Sequence, residues 1–381
     1  MSRPLHQLWR NAATLMLIAR SSVPRAPFNY RILLLQRSSK SRFMPNRYVF
    51  PGGVVDEADF SEEWFDLYRE SSTGSDFSSL VNMKNPRPPI FKISNTTIPS
   101  EVALRICAIR ETFEESGILL LKKMSKDDNV ATQGCCEVYD HHSKGEMQKW
   151  RENVHNDPTQ FIALCRHLKS VPDIWSLGEW SGWLTPPDIK IRFDTVFFIC
   201  FVDHEPVSQH DNKEMIHSQW KMPIEGIVEY YSKKSNFGPP QMYTMLQLCR
   251  TTKWEELKAF QEARANEGSD RWTPIRLNCA EEGVISVLPG DDLYPRALDY
   301  VAKQTNGDYG VRDGSVSAQQ VDETVEELQA RSKNHNRFCV SKSKVPHYKI
   351  LVNCSLEKKA LPPVCDAGEI QKLARQLEAK L

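Results

Sequence analysis

The sequence predicts an α+β fold. Strand-length apolar runs and helical patterns are interspersed from residue 12 to the C-terminal region, without the regular alternation of a parallel βαβ array. Of 381 residues 40% are hydrophobic, with 16 Phe, 11 Tyr and 9 Trp, which suffices for a packed core and excludes disorder of the whole chain.

Residues 12–19 (AATLMLIA) and 31–37 (RILLLQR) read as strands flanking a Pro-containing connection, and 48–50 as a short third strand ended by Pro51-Gly52-Gly53. Ser, Asn and Pro accumulate over 60–100, so this stretch is expected to be an inserted surface excursion with one short helix near 62–69. A helix is predicted over 100–116, with Ser100 as N-cap and Gly117 just past its end. A strand at 118–121, helices at 143–154 and 158–169, and strands at 180–184 and 193–202 follow. The last of these is rich in β-branched and aromatic residues, as a buried central strand should be. Pro223 heads a helix over 223–233, with further helices at 240–250 and 253–266 and short strands at 274–278 and 284–288. Beyond the turn at 289–291 the pattern suggests a helix at 317–331, a hairpin at 337–353 and a terminal helix at 369–378. The division expected is a main domain over 8–290 and a C-terminal extension over 291–381.

Lys+Arg and Asp+Glu both number 49, so net charge excludes no class of partner. Their distribution says more: no acid precedes Asp56, whereas nine Lys and Arg do, a block that can attract an anion or act as a mitochondrial leader. Ten cysteines without a CxxC pair exclude a disulfide scaffold and argue against zinc. The longest apolar run, 196–202, is too short to span a bilayer, so a soluble protein is expected.

The chemistry is concentrated in Arg110-Glu111-Thr112-Phe113-Glu114-Glu115-Ser116-Gly117-Ile118. Glu111, Glu114 and Glu115 stand at i, i+3 and i+4 and share one helix face. Three carboxylates so placed repel unless a cation lies among them, and oxygen-only donors suit Mg²⁺ or Mn²⁺. A solvated acidic face is the bland alternative.

This segment, with the preceding Phe50-Pro51-Gly52-Gly53, resembles the two halves of the Nudix box, G-x₅-E-x₇-R-E-U-x-E-E-x-G-U. Gly53 fits the first glycine, and Arg110 through Ile118 fit the second half except that Thr112 takes an apolar place. Asp59 falls where the first Glu belongs, and fifty residues, 60–109, stand where seven are expected. The resemblance is to the branch of peroxisomal acyl-coenzyme A diphosphatases, which carries a similar interruption, and loop insertion is cheap when its ends still meet. It implies a Nudix-type α/β/α sandwich with a mixed sheet, and Glu111, Glu114 and Glu115 as ligands of Mg²⁺ or Mn²⁺. It implies too that Arg110 positions a carboxylate, and that Gly52 and Gly53 let the loop approach the metal. Glu115 and Glu214 are both candidates for the general base.

Arg37-Ser38-x₃-Arg42-x₃-Asn46-x₃-Phe50-Pro51-Gly52-Gly53 is similar to the motif that coenzyme A-cleaving Nudix enzymes carry before the box, with Asn46 in place of a glycine. Arg37 and Arg42 would then grip the 3′-phosphate of coenzyme A or acyl-coenzyme A. The products implied are 3′,5′-ADP and 4′-phosphopantetheine or its acylated form. Ala379-Lys380-Leu381 is a variant of the Ser-Lys-Leu address, which suggests the peroxisomal import receptor as a partner, with the mitochondrion as the alternative location. The competing functions are a Nudix hydrolase of NADH, ADP-ribose or an RNA cap, and an inactive Nudix binding module. No basic stripe beyond the amino-terminal third supports nucleic acid.

Overall fold

The computed structural model describes residues 9–25, 27–41, 43–71, 76–93, 96–124, 136, 138–139, 144–211, 213–294, 318–341, 348–354, 356 and 360–378. The expectations for Arg42 and for residues 379–381 fall outside them.

The chain opens with β1 (Arg10–Arg25), β2 (Phe28–Arg37), β3 (Tyr48–Val49) and β4 (Gly52–Val54). Helices α1 (Glu63–Glu70), α2 (Ser78–Val81) and α3 (Ser100–Ser116) lead to β5 (Leu121–Lys123). Then come α4 (Lys144–Asn156), α5 (Gln160–His167), β6 (Ser170–Pro172), β7 (Gly178–Leu184), β8 (Phe193–Val202) and β9 (Met215–Lys221). Helices α6 (Pro223–Tyr231), α7 (Pro239–Leu248) and α8 (Trp254–Ala263) precede β10 (Arg271–Trp272). The C-terminal part holds β11 (Ile275–Asn278), β12 (Gly283–Val287) and β13 (Gln319–Gln320), then helix Val325–Arg331, β14 (Asn336–Ser341), β15 (Tyr348–Val352) and helix Ala367–Glu378.

Among the described residues, eight strands form the main sheet in the order β10-β7-β8-β1-β2-β3, with β4 also paired to β1 and β9 to β2. Its centre is a parallel ladder of β1 on β8, from Arg10 opposite Phe193 to Ala19 opposite Val202. Flanking pairs such as β1–β2 and β7–β8 are antiparallel, giving the expected mixed sheet. The apolar runs of β1 and β8 are unbroken because both faces are covered. Ala13, Leu15 and Leu17 of β1 point with Val196 and Phe198 of β8 into the layer that holds α3. Met16 and Ile18, with Phe197 and Ile199, point into the opposite layer, which holds α6, α7 and α8. Helices on both faces make the α/β/α sandwich.

The excursion over 60–100 differs from expectation. Trp64, Leu67, Tyr68, Phe77, Leu80, Ile90, Phe91 and Ile98 all belong to the same core as α3. Tyr68 donates its hydroxyl to the Pro172 carbonyl at 2.8 Å, and Trp64 its indole N–H to Ala58 at 2.9 Å. Fully burying aromatic groups of this size contributes about 1.5–3 kcal/mol each, which outweighs the Ser, Asn and Pro content that suggested a surface loop. Arg87 of the same stretch grips Glu179 of β7 at 2.6 and 2.9 Å, and Arg105 of α3 reaches that carboxylate at 3.4 Å. Consequently α3 is buried all round, and Glu111 alone among its residues is partly exposed.

Smaller differences have local causes. Ser100 is the first helical residue, not the cap; its hydroxyl accepts from the Ile93 N–H at 3.2 Å, and Pro99 takes the cap position. The strand expected at 118–121 begins at Leu121 and pairs with β6 in a separate two-stranded sheet. The helix expected at 317–331 shortens to Val325–Arg331, started by a capping box of Thr324 and Glu327, with β13 before it. The strands β4 and β9 were not expected. β4 is a glycine-rich edge, and β9 is half-exposed with a mixed polar pattern.

Candidate active site

The site forms where β4 meets the C-terminal half of α3. Antiparallel pairing sets Gly52 opposite Thr14 and Gly53 opposite Ala13 of the central strand. At Gly52, φ is +152° and an added Cβ would stand 2.4 Å from the Ala13 carbonyl oxygen, so only glycine fits. At Gly53 the obstruction is the Glu111 carboxyl group, also at 2.4 Å. The two glycines bring the β4 backbone against the carboxylate helix, and the Gly52 N–H donates to Glu115 Oε2 at 2.9 Å. The two halves of the motif thus meet despite the interruption.

Arg110 organises the carboxylates. Its Nε and Nη2 donate to the two oxygens of Asp59, each at 2.9 Å, and Nη1 donates to Glu111 at 2.9 Å and Glu114 at 2.7 Å. Nη2 also reaches the Val54 carbonyl at 3.3 Å. Burial alone would lower the guanidinium pKa, but Asp59 and Glu111 outweigh it and hold the charge firmly in place. Asp59, placed by sequence at the first Glu of the box, is 1% exposed and lies in a short helical turn, Glu57–Phe60. Its Oδ2 also accepts the Asp56 N–H at 2.9 Å.

Burial, then the charge on Glu111, pushes the Glu115 carboxyl well above its usual range, against the opposing Gly52 N–H. Burial likewise raises Glu111 to about 7, with Arg110 opposing and Glu114 adding to the shift. Three carboxyl groups, of Asp59, Glu111 and Glu114, thus surround the Arg110 guanidinium, and a fourth, of Glu115, rests on the Gly52 N–H.

Behind α3, Arg151 of α4 donates Nε to the Glu114 carbonyl at 2.7 Å, satisfying an acceptor the helix end leaves open. His155, one turn on, places Nδ1 3.3 Å from Glu114 Oε2. Sequence reasoning missed both, because no motif marks α4.

The loop after β2 supplies the rim. Asn46 has φ +60°, so it adopts the left-handed turn that the glycine of the motif would take. Arg37 donates Nε to the Ser41 hydroxyl and the Phe43 carbonyl, both at 3.0 Å, and Nη2 to Ser41 at 2.9 Å. Two of its three nitrogens therefore shape the loop. Glu214 is exposed at the mouth; its N–H donates to the Asp211 carboxylate at 3.2 Å and its carbonyl accepts the Ser38 N–H at 2.8 Å, which fixes its backbone. Arg37, Gly52, Gly53, Glu111, Glu115 and Glu214 all open on one cleft of about 990 Å³, at the upper end of the roughly 300–1,000 Å³ usual for small-molecule sites.

A profile of the NUDT19 Nudix domain matches residues 9–248, and one of the NUDT19 C-terminal domain matches residues 277–350. The chain belongs to the NUDT19 family of Nudix hydrolases. The relatives it resembles include the acyl-coenzyme A diphosphatase NUDT19 of Xenopus laevis, 42% identical over 78% of this chain and 84% of the relative. The proteins of the same name from Gallus gallus and Homo sapiens are 39% and 37% identical, each over 78% of this chain and over 82% and 84% of their own lengths.

Nudix hydrolases use divalent metal ions, and the donor set of this NUDT19-family member fits one. Glu111, Glu114 and Glu115 offer hard oxygens, burial and their mutual repulsion raise the Glu111 and Glu115 carboxyl groups in a way a bound cation would relieve, and Gly53 leaves room beside Glu111. Among the described residues no three such side chains already converge in ligating geometry. Arg110 draws Glu111 and Glu114 to one side, and Gly52 draws Glu115 to another. Among the described residues, no helix is long and apolar enough to cross a membrane.

Proposed function

We propose that this NUDT19-family hydrolase cleaves the diphosphate bond of coenzyme A and acyl-coenzyme A, releasing 3′,5′-ADP and 4′-phosphopantetheine or its acylated form. The observation that carries this reading is the junction of Gly52 and Gly53 with Glu115 and Glu111 at the floor of the large cleft. The names of the three vertebrate relatives support the choice of substrate.

In this reading Glu111, Glu114 and Glu115 would hold Mg²⁺ or Mn²⁺. When bound, the cation supplies an activated water and neutralises charge on the phosphoryl oxygens. The chain's own residues do the positioning. Arg110, itself clamped by Asp59, sets the orientation of Glu111 and Glu114. The Gly52 N–H fixes Glu115, which lies buried where it can accept a proton from water as that water attacks one phosphorus. Glu214, at the exposed mouth, is the other candidate for that role. Arg37 presents its remaining amino group, and Lys40 and Lys213 add positive charge along the same wall for a substrate with three phosphates.

Mass analysis of products from coenzyme A and an acyl-coenzyme A incubated with Mg²⁺ tests bond and substrate together. The masses of 3′,5′-ADP and phosphopantetheine are expected, and turnover of NADH equal to or faster than that of coenzyme A would overturn the substrate assignment. We further place the protein in peroxisomes on the strength of Ala379-Lys380-Leu381. Imaging a fluorescent fusion with and without these three residues checks that placement.

A further inference from the structure

The cleft does not end at the carboxylates. It continues along the main sheet to a wall built by the C-terminal sheet, whose strand order is β13-β11-β12-β14-β15. Register shows why that wall is apolar. Val284 pairs with Val340 and Ser286 with Phe338, so these four side chains share one face. Ile285, Val287 and Cys339 lie on the other face, in a core of their own closed by Leu328 of helix Val325–Arg331. The sheet thus carries apolar side chains on both faces, and among the described residues only one face is sealed by a helix of its own. On the other, Val284, Ser286, Phe338 and Val340 line the cleft, as do Leu184 and Ile189 of the main-sheet side.

This wall is held rigidly over the main sheet. The Phe338 ring meets Trp183 at 6.3 Å and Tyr243 at 5.8 Å, and Arg276 of β11 pairs with Asp188 at 2.6 Å. That pairing neutralises the cation of the wall. Among the described residues, what remains of this wall can bury hydrocarbon but offers no charge to hold a phosphate.

We propose that this end of the cleft binds the acyl chain of the thioester substrate, with Val284, Phe338 and Val340 as its contacts. The inference rests on the coenzyme A reading above. A substrate whose diphosphate lies beside the cation that Glu111 and Glu115 would hold extends its pantetheine arm away from the carboxylates, and the continuous cleft leads it to this wall. The C-terminal sheet then sets acyl-chain specificity, although it stands far along the chain from the Nudix motif.

The test is kcat/KM for free coenzyme A and for a series of saturated acyl-coenzyme A thioesters with Mg²⁺, in the unaltered protein, Val340→Asp and Ser286→Phe. In the unaltered protein kcat/KM should rise with chain length, by up to about fourfold per methylene while the chain is being buried. Each variant should lower the ratio of long-chain to free coenzyme A kcat/KM by about tenfold or more. Ser286→Phe, which only narrows the space, decides the matter if Val340→Asp does not fold. Indifference to chain length in the unaltered protein, or equal losses on both substrates in the variants, overturns the acyl site while leaving coenzyme A cleavage standing. If neither substrate is cleaved, the substrate reading falls and takes the acyl site with it.

Discussion

Arg110 and Asp59 face each other through two hydrogen bonds of 2.9 Å, and this one pair bridges the fifty-residue interruption of the motif. Both are almost fully buried, and the same guanidinium holds Glu111 and Glu114. Asp59→Asn should keep the shape but lose the charge that fixes Arg110. The expected result is a loss of about 10–100-fold in kcat/KM, as for groups that orient metal ligands, with weaker Mg²⁺ dependence. Activity within twofold of the unaltered protein would show that Arg110 needs no such anchor.

Glu115→Gln separates catalysis from folding. Burial raises the Glu115 carboxyl well above its usual range, so its charged form is unfavourable in the fold, and an amide can still accept the Gly52 N–H. Metal-free protein should therefore be as stable or more stable than the unaltered chain. Turnover should fall by roughly 10²–10³-fold. Thermal melting without metal, set beside kcat with Mg²⁺, checks both halves.

The adjacent glycines should respond differently to alanine. At Gly52 the added carbon meets main-chain atoms of Ala13 and Thr14, which cannot move without displacing β1. Gly52→Ala should cost about 3 kcal/mol or more of stability. At Gly53 it meets the end of the Glu111 side chain, which can swing aside. Gly53→Ala should fold with a loss of about 1 kcal/mol or less, but bind Mn²⁺ more weakly. Equal destabilisation of the two variants in urea titrations would contradict this division.

Truncating Trp64, at the start of the inserted stretch, tests whether the insertion belongs to the core. Trp64→Ala should cost about 3–5 kcal/mol, the range for buried aromatic groups. A change under about 0.5 kcal/mol in a denaturant titration is the surface-loop result.

Glu179 gives the fold an acid limit. Burial alone would raise its carboxyl, but Arg87 and Arg105 outweigh that and hold it below its ordinary value of 4.5. A carboxylate with a depressed folded pKa stabilises above the unfolded value, and the gain is lost as pH falls through the folded one. Glu179→Gln, which strands Arg87 and Arg105, should cost about 3–5 kcal/mol near neutral pH. The gap in melting temperature between variant and unaltered protein should narrow as pH drops below 4.5. A gap that stays constant to about pH 3 would exclude Glu179 as the titrating group.

Local signals were legible in the sequence. Helix α3 declares itself through its glutamate spacing and its Gly117 terminator, which takes φ +74° and donates to the Phe113 carbonyl. The unbroken apolar runs of β1 and β8 gave the central strands because burial on both faces removes the polar alternation. What stayed hidden depends on partners far along the chain. Nothing near Arg110 in sequence names Asp59 as its partner, nor does anything near Glu114 name His155. The eight apolar anchors between Trp64 and Ile98 are spaced too irregularly to show a period among the Ser, Asn and Pro around them. The C-terminal sheet read as strands without chemistry, since its part in the cleft is visible only once it is folded over Trp183.

The parallel ladder of β1 on β8 has a consequence for biosynthesis. Ribosomes deliver the first strand roughly 180 residues before its central neighbour, and parallel partners so distant close slowly. Until then a nascent polypeptide bears a bare, sticky edge of Leu, Met and Ile, the kind of surface chaperones retain. Premature termination upstream of Phe193 should therefore yield insoluble fragments rather than a smaller working enzyme.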